Sequence, residues 1–268
     1  MASESFNLYP LRATAEVPAV TAEQMREVDR LAINDAKLDL LQMMENAGRA
    51  VATIARDHLP PPQASTDDAP TALILAGRGN NGGGALSAGR HLRNWGYKIE
   101  VALTTAPGSL VGAPAHQLHT LHRDGLRALW PGAPDFDERF PQALDQAIVV
   151  VDGLVGYGMD RPLQGDTAVL VDAVLDRAPP TVVSVDLPTG FDATTGDVFS
   201  FGVVASMTVT LALPKTGLLR GDAAAAVGDL YLADIGIPTY IYDRLGIGPV
   251  EGLFSEGPLL RLLDSGSD

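Results

Sequence analysis

Cysteine is absent from the 268 residues. That excludes disulfides, thiolate metal ligands and a cysteine nucleophile, and it fits a reducing compartment. Cationic residues are scarce: 19 Lys and Arg stand against 33 Asp and Glu, a formal net charge of −14. A surface of that sign repels phosphodiester backbones, so nucleic acid is not an expected partner. A small anionic molecule held by local backbone dipoles is still compatible with it. No apolar run approaches the roughly 20 residues that a membrane-crossing helix requires, so no membrane contact is expected. The opening MASESFNLYPLRATAEVP has no basic stretch leading into an apolar one, which argues against a secretory leader and for a cytoplasmic setting. No G-K-[ST] follows the glycine cluster near residue 80, and S-x-x-K occurs nowhere, so neither a Walker loop nor a β-lactamase-type serine site is present.

What is present is a foldable core. Hydrophobic residues make up 46% of the chain, enough for one large domain. Thr21 with Gln24 reads as a capping box opening a helix through Met25, Val28, Leu31 and Ala32. Residues 40–57 place Leu41, Met44, Ala47, Val51 and Ile54 on one helical face. PPPQASTDDAP (60–70) reads as a flexible loop. Beyond it, short runs rich in β-branched residues (71–76, 98–104, 147–152, 181–186, 207–213 and 229–234) are interspersed with helical stretches near 83–95, 113–124, 140–146 and 166–178. This pattern predicts a mostly parallel sheet covered by helices on both faces. Residues 1–19 read as an arm, 20–250 as one domain and 251–268 as a tail.

Four of these runs end in loops loaded with Gly, Pro, Asp or Asn: GRGNNGGG, GLVGYGMDRP, LPTGFDATTGD and PKTGLLRG. In an open parallel sheet, ligands sit at the carboxyl ends of the strands, where glycines let backbone N–H groups approach an oxygen-rich ligand. Gly77 to Gly82 satisfies G-x-G-x-x-G between a strand and a helix. Yet the following run ends in Thr104-Thr105-Ala106-Pro107, without the acid that grips a ribose in dinucleotide dehydrogenases. Asp152 and Asp186 each end a strand, where a carboxylate can ligate a cation, move a proton or simply cap a turn. Oxygen donors from Asn81, Asp152 and Thr189 suit a hard cation and not zinc. Arg161 and Lys215 lie in the loops that carry the site, where either can neutralise a substrate phosphate or stand solvated. His116, His119 and His122 recur on one probable helix and read as exposed.

Taken together, TAEQMREVDRLA (21–32), LLQMMENAGRAVA (40–52), GRGNNGGGALSAGRHL (77–92), VVDGLVGYGMDRPLQG (150–165), VDLPTGFDATTGD (185–197) and LPKTGLLRGDAAAAVGDLYLADIGIP (213–238) resemble the NAD(P)H-hydrate epimerase family, or YjeF N-terminal domain. The resemblance implies a Rossmann-like three-layer α/β/α sandwich, commonly a homodimer. It also implies an isomerase that interconverts the R and S epimers of hydrated NADH or NADPH in nucleotide repair. Its potassium ion, one per subunit, would be held by Asn81, Asp152 and Thr189. The substrate would meet Asn80, Asn81, Gly82, Gly83 and Gly84, the loop Gly156, Tyr157, Gly158, Met159, Asp160, Arg161 and Pro162, and Asp186, the candidate for proton transfer. Two departures stand out. Gly84 occupies the position of the family's Asp, which opens an alternative: a catalytically weak nucleotide-binding or scaffolding domain of the same fold. Thr189 stands where serine is frequent and keeps the hydroxyl.

Overall fold

A computed structural model describes residues 8–62, 71–221 and 223–263. In chain order the elements are β1 (Leu11–Ala13), α1 (Ala22–Asn34), α2 (Leu40–Asp57), β2 (Thr71–Ala76), α3 (Asn80–Asn94), β3 (Lys98–Leu103), α4 (Gly112–Arg123), α5 (Phe136–Gln146) and β4 (Ala147–Gly153). There follow α6 (Gly165–Arg177), β5 (Val182–Val185), β6 (Met207–Leu211), α7 (Ala224–Val227), β7 (Asp229–Ala233), α8 (Thr239–Arg244) and β8 (Leu259–Leu263).

The strands form one eight-stranded sheet in the order β1-β8-β7-β6-β5-β4-β2-β3, parallel at every pairing except β7 with β8. β2 is wholly buried, as the continuous apolar run TALILA requires when both faces of a strand are covered. Alternate residues divide it between two layers. Ile74 packs with Val51, Leu86 and Leu121 of α2, α3 and α4, whereas Leu73 and Leu75 pack with Phe140, Leu144 and Leu170 of α5 and α6. At the other end of the sheet Leu230, Leu232 and Leu260 join Met25, Val28 and Ile241, so α1 and α8 cover that part of the second layer. The result is the expected α/β/α sandwich with a mostly parallel centre.

Capping explains where the first helices begin. Thr21 accepts from the Gln24 N–H at 3.2 Å and the Gln24 side chain accepts from the Thr21 N–H at 2.9 Å. Asp39 and Gln42 repeat the arrangement for α2. Three features depart from the sequence reading. α3 begins at Asn80 and not near 83, with Gly79 as its N-cap, so the Asn-Asn-Gly-Gly segment is the first turn of the helix and not a loop before it. Residues 11–13 and 259–263, assigned above to the arm and the tail, are strands that pair with each other at one sheet edge. Both are too short for periodicity to reveal them. The 60–70 loop lies outside the described residues from 63 onward.

Strand order reverses between β2 and β4: the chain leaves β2 for β3 on one side, then returns to place β4 on the other. The carboxyl ends of β2 and β4 therefore flank the crevice where open sheets bind ligands. Gly77 and Gly153, at these two ends, are joined by a 3.1 Å hydrogen bond from Gly77 N–H to the Gly153 carbonyl.

Candidate functional site

The glycine turn is shaped by lack of space. A Cβ on Gly77 would stand 1.8 Å from the Leu154 carbonyl oxygen, and one on Gly82 would stand 2.0 Å from the Gly77 carbonyl oxygen. Only hydrogen at these positions lets β2, β4 and α3 close on one another. Gly79 caps α3 without a side-chain acceptor, and the first residues of the helix, Asn80 and Asn81, line the crevice with N–H groups that have no intrahelical partner.

That crevice is a cavity of about 640 Å³. Its apolar wall comes from Met25, Leu40, Met43, Met44, Val185 and Ile235, and its polar lining from Asp29, Arg78, Asn80, Asn81, Asp186 and Lys215. Gly84 also lines it, and a Cβ there would meet only Val185 at 3.7 Å and Ala47 at 3.9 Å. From the loop after β4, Gly156, Tyr157 and Gly158 reach the cavity, whereas Met159, Asp160, Arg161 and Pro162 lie beyond its lining. Arg161 is exposed and lies 3.3 Å from Asp160. Gly82 and Gly83 are buried behind the surface, Gly82 against Gly77 and Gly83 against the Met44 sulfur. His116, His119 and His122 are on α4, away from the cavity.

Asp152 is completely buried at the end of β4. Oδ2 accepts from the Ser184 hydroxyl at 2.9 Å and the Thr189 N–H at 2.8 Å, while Oδ1 accepts from the Thr189 hydroxyl at 2.7 Å and the Leu154 N–H at 3.3 Å. Burial pushes this carboxyl above its ordinary range, opposed by those hydrogen bonds. Among the described residues no Lys or Arg forms an ion pair with it. The Thr189 hydroxyl also accepts from the Val155 N–H at 3.1 Å, which ties the β5 and β4 loops together. Asn81, in the first turn of α3, has its side-chain nitrogen buried and without a hydrogen-bond partner among the described residues.

Asp186 follows β5 and is nearly inaccessible, at 3% exposure. Its φ is +67°, and the Leu187 N–H bonds back to the Val185 carbonyl at 2.8 Å, a γ-turn of the strained, positive-φ form. Ala212, after β6, repeats it with φ +66° and a 2.8 Å bond from the Leu213 N–H to the Leu211 carbonyl. The second turn brings in Lys215, only 1% exposed, whose ammonium is ion-paired with Asp186 Oδ1 and bonds the Leu211 carbonyl at 2.9 Å. Neither role anticipated for Lys215, phosphate neutralisation or solvation, fits this burial: the carboxylate already occupies the ammonium. The sequence reading missed this pair because positive φ at non-glycine residues leaves no trace in the sequence.

Asp29 was also missed. Tyr157 donates its hydroxyl to Asp29 Oδ2. Burial raises the Asp29 carboxyl, outweighing the opposing Tyr157 hydrogen bond and Lys215 charge, and the Tyr157 hydroxyl is itself raised by burial and by Asp29. A signal existed: Asp29 lies four residues after Met25, next to Val28 on the apolar side of an amphipathic helix.

Residues 40–217 match the family model described as YjeF-related protein N-terminus. The chain is 36% identical over 249 residues to the NAD(P)H-hydrate epimerase of Dehalogenimonas lykanthroporepellens, covering 93% of this chain and 94% of that one. It is 31% identical to the NAD(P)H-hydrate epimerase of Rhodopirellula baltica, over 88% of this chain and 92% of the relative. Against the bifunctional NAD(P)H-hydrate repair enzyme Nnr of Moorella thermoacetica it is 36% identical but spans only 40% of that protein. The crystal structure of yeast ynu0, YNL200c, shares the fold with a TM-score of 0.76 at 23% identity, covering 91% of this chain and 99% of that one. With the glycine turn and the two strand-end aspartates inside the matched region, the chain belongs to the YjeF N-terminal family, and it is similar to these NAD(P)H-hydrate epimerases along most of its length.

Proposed function

We propose that this chain is an NAD(P)H-hydrate epimerase, an isomerase acting on hydrated NADH or NADPH. The observation that carries the reading is a divided carboxylate. Asp186 Oδ1 takes the Lys215 ammonium and the Leu211 N–H at 3.3 Å, with the Thr210 hydroxyl at 3.4 Å, while no donor among the described residues is bonded to Oδ2. Oδ2 faces Gly156, where a Cβ would stand 3.3 Å from it and 3.2 Å from the Asn81 amide oxygen. A fixed carboxylate with one oxygen open to a mostly apolar cavity can take or give a proton at a bound molecule.

The chemistry asks for no more than that. The hydrated ring bears a hydroxyl on a carbon next to the ring nitrogen, and inversion follows one of two routes. In one, the hydroxyl leaves as water after protonation, the nitrogen lone pair forms C=N, and water returns on the other face. In the other, the hydroxyl proton is removed, C=O forms as the C–N bond breaks and the nitrogen is protonated, and the ring recloses. Asp186 Oδ2 is our proton-transfer group in either. The N–H groups at the start of α3 suit the diphosphate of the substrate.

The site also fits a potassium ion, one per subunit, held by Asn81, Asp152 and Thr189. Asp152 is buried with hydrogen bonds but no cationic partner, and the other two ligands would be neutral oxygens, the Asn81 amide oxygen and the Thr189 hydroxyl. The ion would offset the Asp152 charge and hold the β4 and β5 loops together. Binding of the substrate by Asn80, Asn81 and Gly84, by Gly156, Tyr157 and Gly158, and by Asp186, assembly as a homodimer and a cytoplasmic setting complete this reading on the family's pattern. No helix among the described residues is long and apolar enough to cross a membrane.

Gly84 favours a second reading, a binding or scaffolding domain with little turnover, because it leaves a stretch of cavity wall without the family's carboxylate. The deciding experiment starts from a purified single epimer of the hydrate and follows its equilibration by chromatography, with and without potassium. Acceleration by the protein is the expected result. Stabilisation of the protein by dinucleotide with no acceleration would establish the second reading instead.

A further inference from the structure

Lys215 carries an inference that rests on the epimerase reading and deepens it. A fully desolvated ammonium is costly unless closely paired. Here the chain builds it in with care: Val20 brackets Lys215, accepting from the Thr216 N–H and donating to the Pro214 carbonyl, both at 2.9 Å. Two neighbouring γ-turns, each centred on a non-glycine residue with φ above +60°, place Asp186 and Lys215 at the same sheet edge. Backbone strain of this kind persists only where its surroundings over-determine it, and it concentrates at working sites. The Leu211 carbonyl links the two devices, accepting both the Leu213 N–H that closes the second turn and the Lys215 ammonium. From the cavity side the Tyr157 ring covers the ammonium at 5.8 Å, its hydroxyl tied to Asp29 on α1.

We propose that Lys215 is a positioning residue for Asp186. By occupying Oδ1 it fixes the carboxylate in the one orientation that turns Oδ2 to the hydroxyl of the bound hydrate, and the Tyr157–Asp29 pair keeps water from competing for the ammonium. Lys215 does not bind a substrate phosphate and transfers no proton.

The test compares the parent chain with Lys215→Met, which fills the volume without the charge, in crystal structures and in epimerisation kinetics. The proposal expects Asp186 to leave its orientation in the variant. A small misplacement of a reacting group lowers turnover by about 100-fold, so kcat should fall to that extent while KM changes only a few-fold. Lys215→Ala should recover part of the lost kcat when ethylammonium is added. An Asp186 carboxylate that stays in place in the Met variant overturns the proposal, whether kcat falls or not, and so does a kcat within about threefold of the parent. Where the Met variant does not fold, Lys215→Gln takes its place, and the same two outcomes overturn the proposal. A parent chain that fails to epimerise refutes the functional reading instead, and the crystal structures still decide whether Lys215 orients Asp186.

Discussion

Asp152 and Thr189 are joined twice, through the Thr189 N–H to Oδ2 and the Thr189 hydroxyl to Oδ1, so that the carboxylate at the end of β4 is bonded to the loop after β5 along its whole edge. Through the Leu154 and Val155 N–H groups the pair also holds two residues that line the cavity. Thr189→Val keeps the shape but removes the hydroxyl, leaving Asp152 short of a donor and the Val155 N–H without its acceptor. A loss of about 1–3 kcal/mol in urea denaturation is expected, and Thr189→Ser should recover most of it. The same variant bears on the cation. Potassium that binds the native state raises the melting temperature by mass action. The parent should melt higher in potassium chloride than in choline chloride at equal ionic strength, and the Val variant should show a much smaller difference.

Asp186→Asn should keep the fold and remove turnover. Loss of a well-placed proton-transfer group lowers kcat by about 10² to 10⁴-fold. The charge on Lys215 then lacks its counter-ion, so the melting temperature should fall as well. Single-epimer kinetics beside thermal unfolding separate the two effects, and full activity in this variant would remove Asp186 from its role.

Gly84 permits two graded substitutions. The Cβ of Gly84→Ala meets only ordinary contacts, and it relieves the conformational freedom of a helical glycine, so a gain of about 0.4–1 kcal/mol in denaturant unfolding is expected. Gly84→Asp places a carboxylate on the cavity wall. For an active epimerase, KM should fall with kcat altered only a few-fold. A rise of more than about tenfold in kcat would show that the parent is limited by the missing group.

Asp29 provides a pH test. Burial raises its carboxyl above the ordinary value of 3.8. The folded state therefore holds the proton more tightly than the unfolded chain. Any stability from that group is present in acid and is lost as pH rises through the folded value. Asp29→Asn removes the dependence while leaving an oxygen for the Tyr157 hydroxyl. The variant should melt above the parent at pH 7, and the difference should shrink toward pH 4; a difference that grew in acid would contradict the assignment.

Much of this was legible before any coordinates. The run TALILA had to be a strand covered on both faces, and Thr21 with Gln24 had to open a helix, because periodicity and capping are local. Gly77 and Gly82 also marked the crevice, since a backbone that must come this close tolerates no Cβ. What stayed hidden depended on distance. β1 and β8 are too short to have a pattern; β1 is a strand only because β8 is beside it, and β8 only because it lies between β1 and β7. The start of α3 lies three residues before its periodic pattern begins, because glycines and asparagines resemble a loop until a helix and a sheet edge enclose them.

The sequence alone determined the layers, the family motifs and the row of strand-end loops, since these rest on hydrophobic spacing and on residue chemistry within a few positions. Only the tertiary structure decided that Lys215 is buried against Asp186, that Asp29 holds Tyr157, and that the 156–162 loop reaches the cavity through its first three residues. Those facts arise from two strained turns on adjacent strands and from a helix packed across them. A charge far along the chain becomes a neighbour only once the sheet has set the register that brings it there.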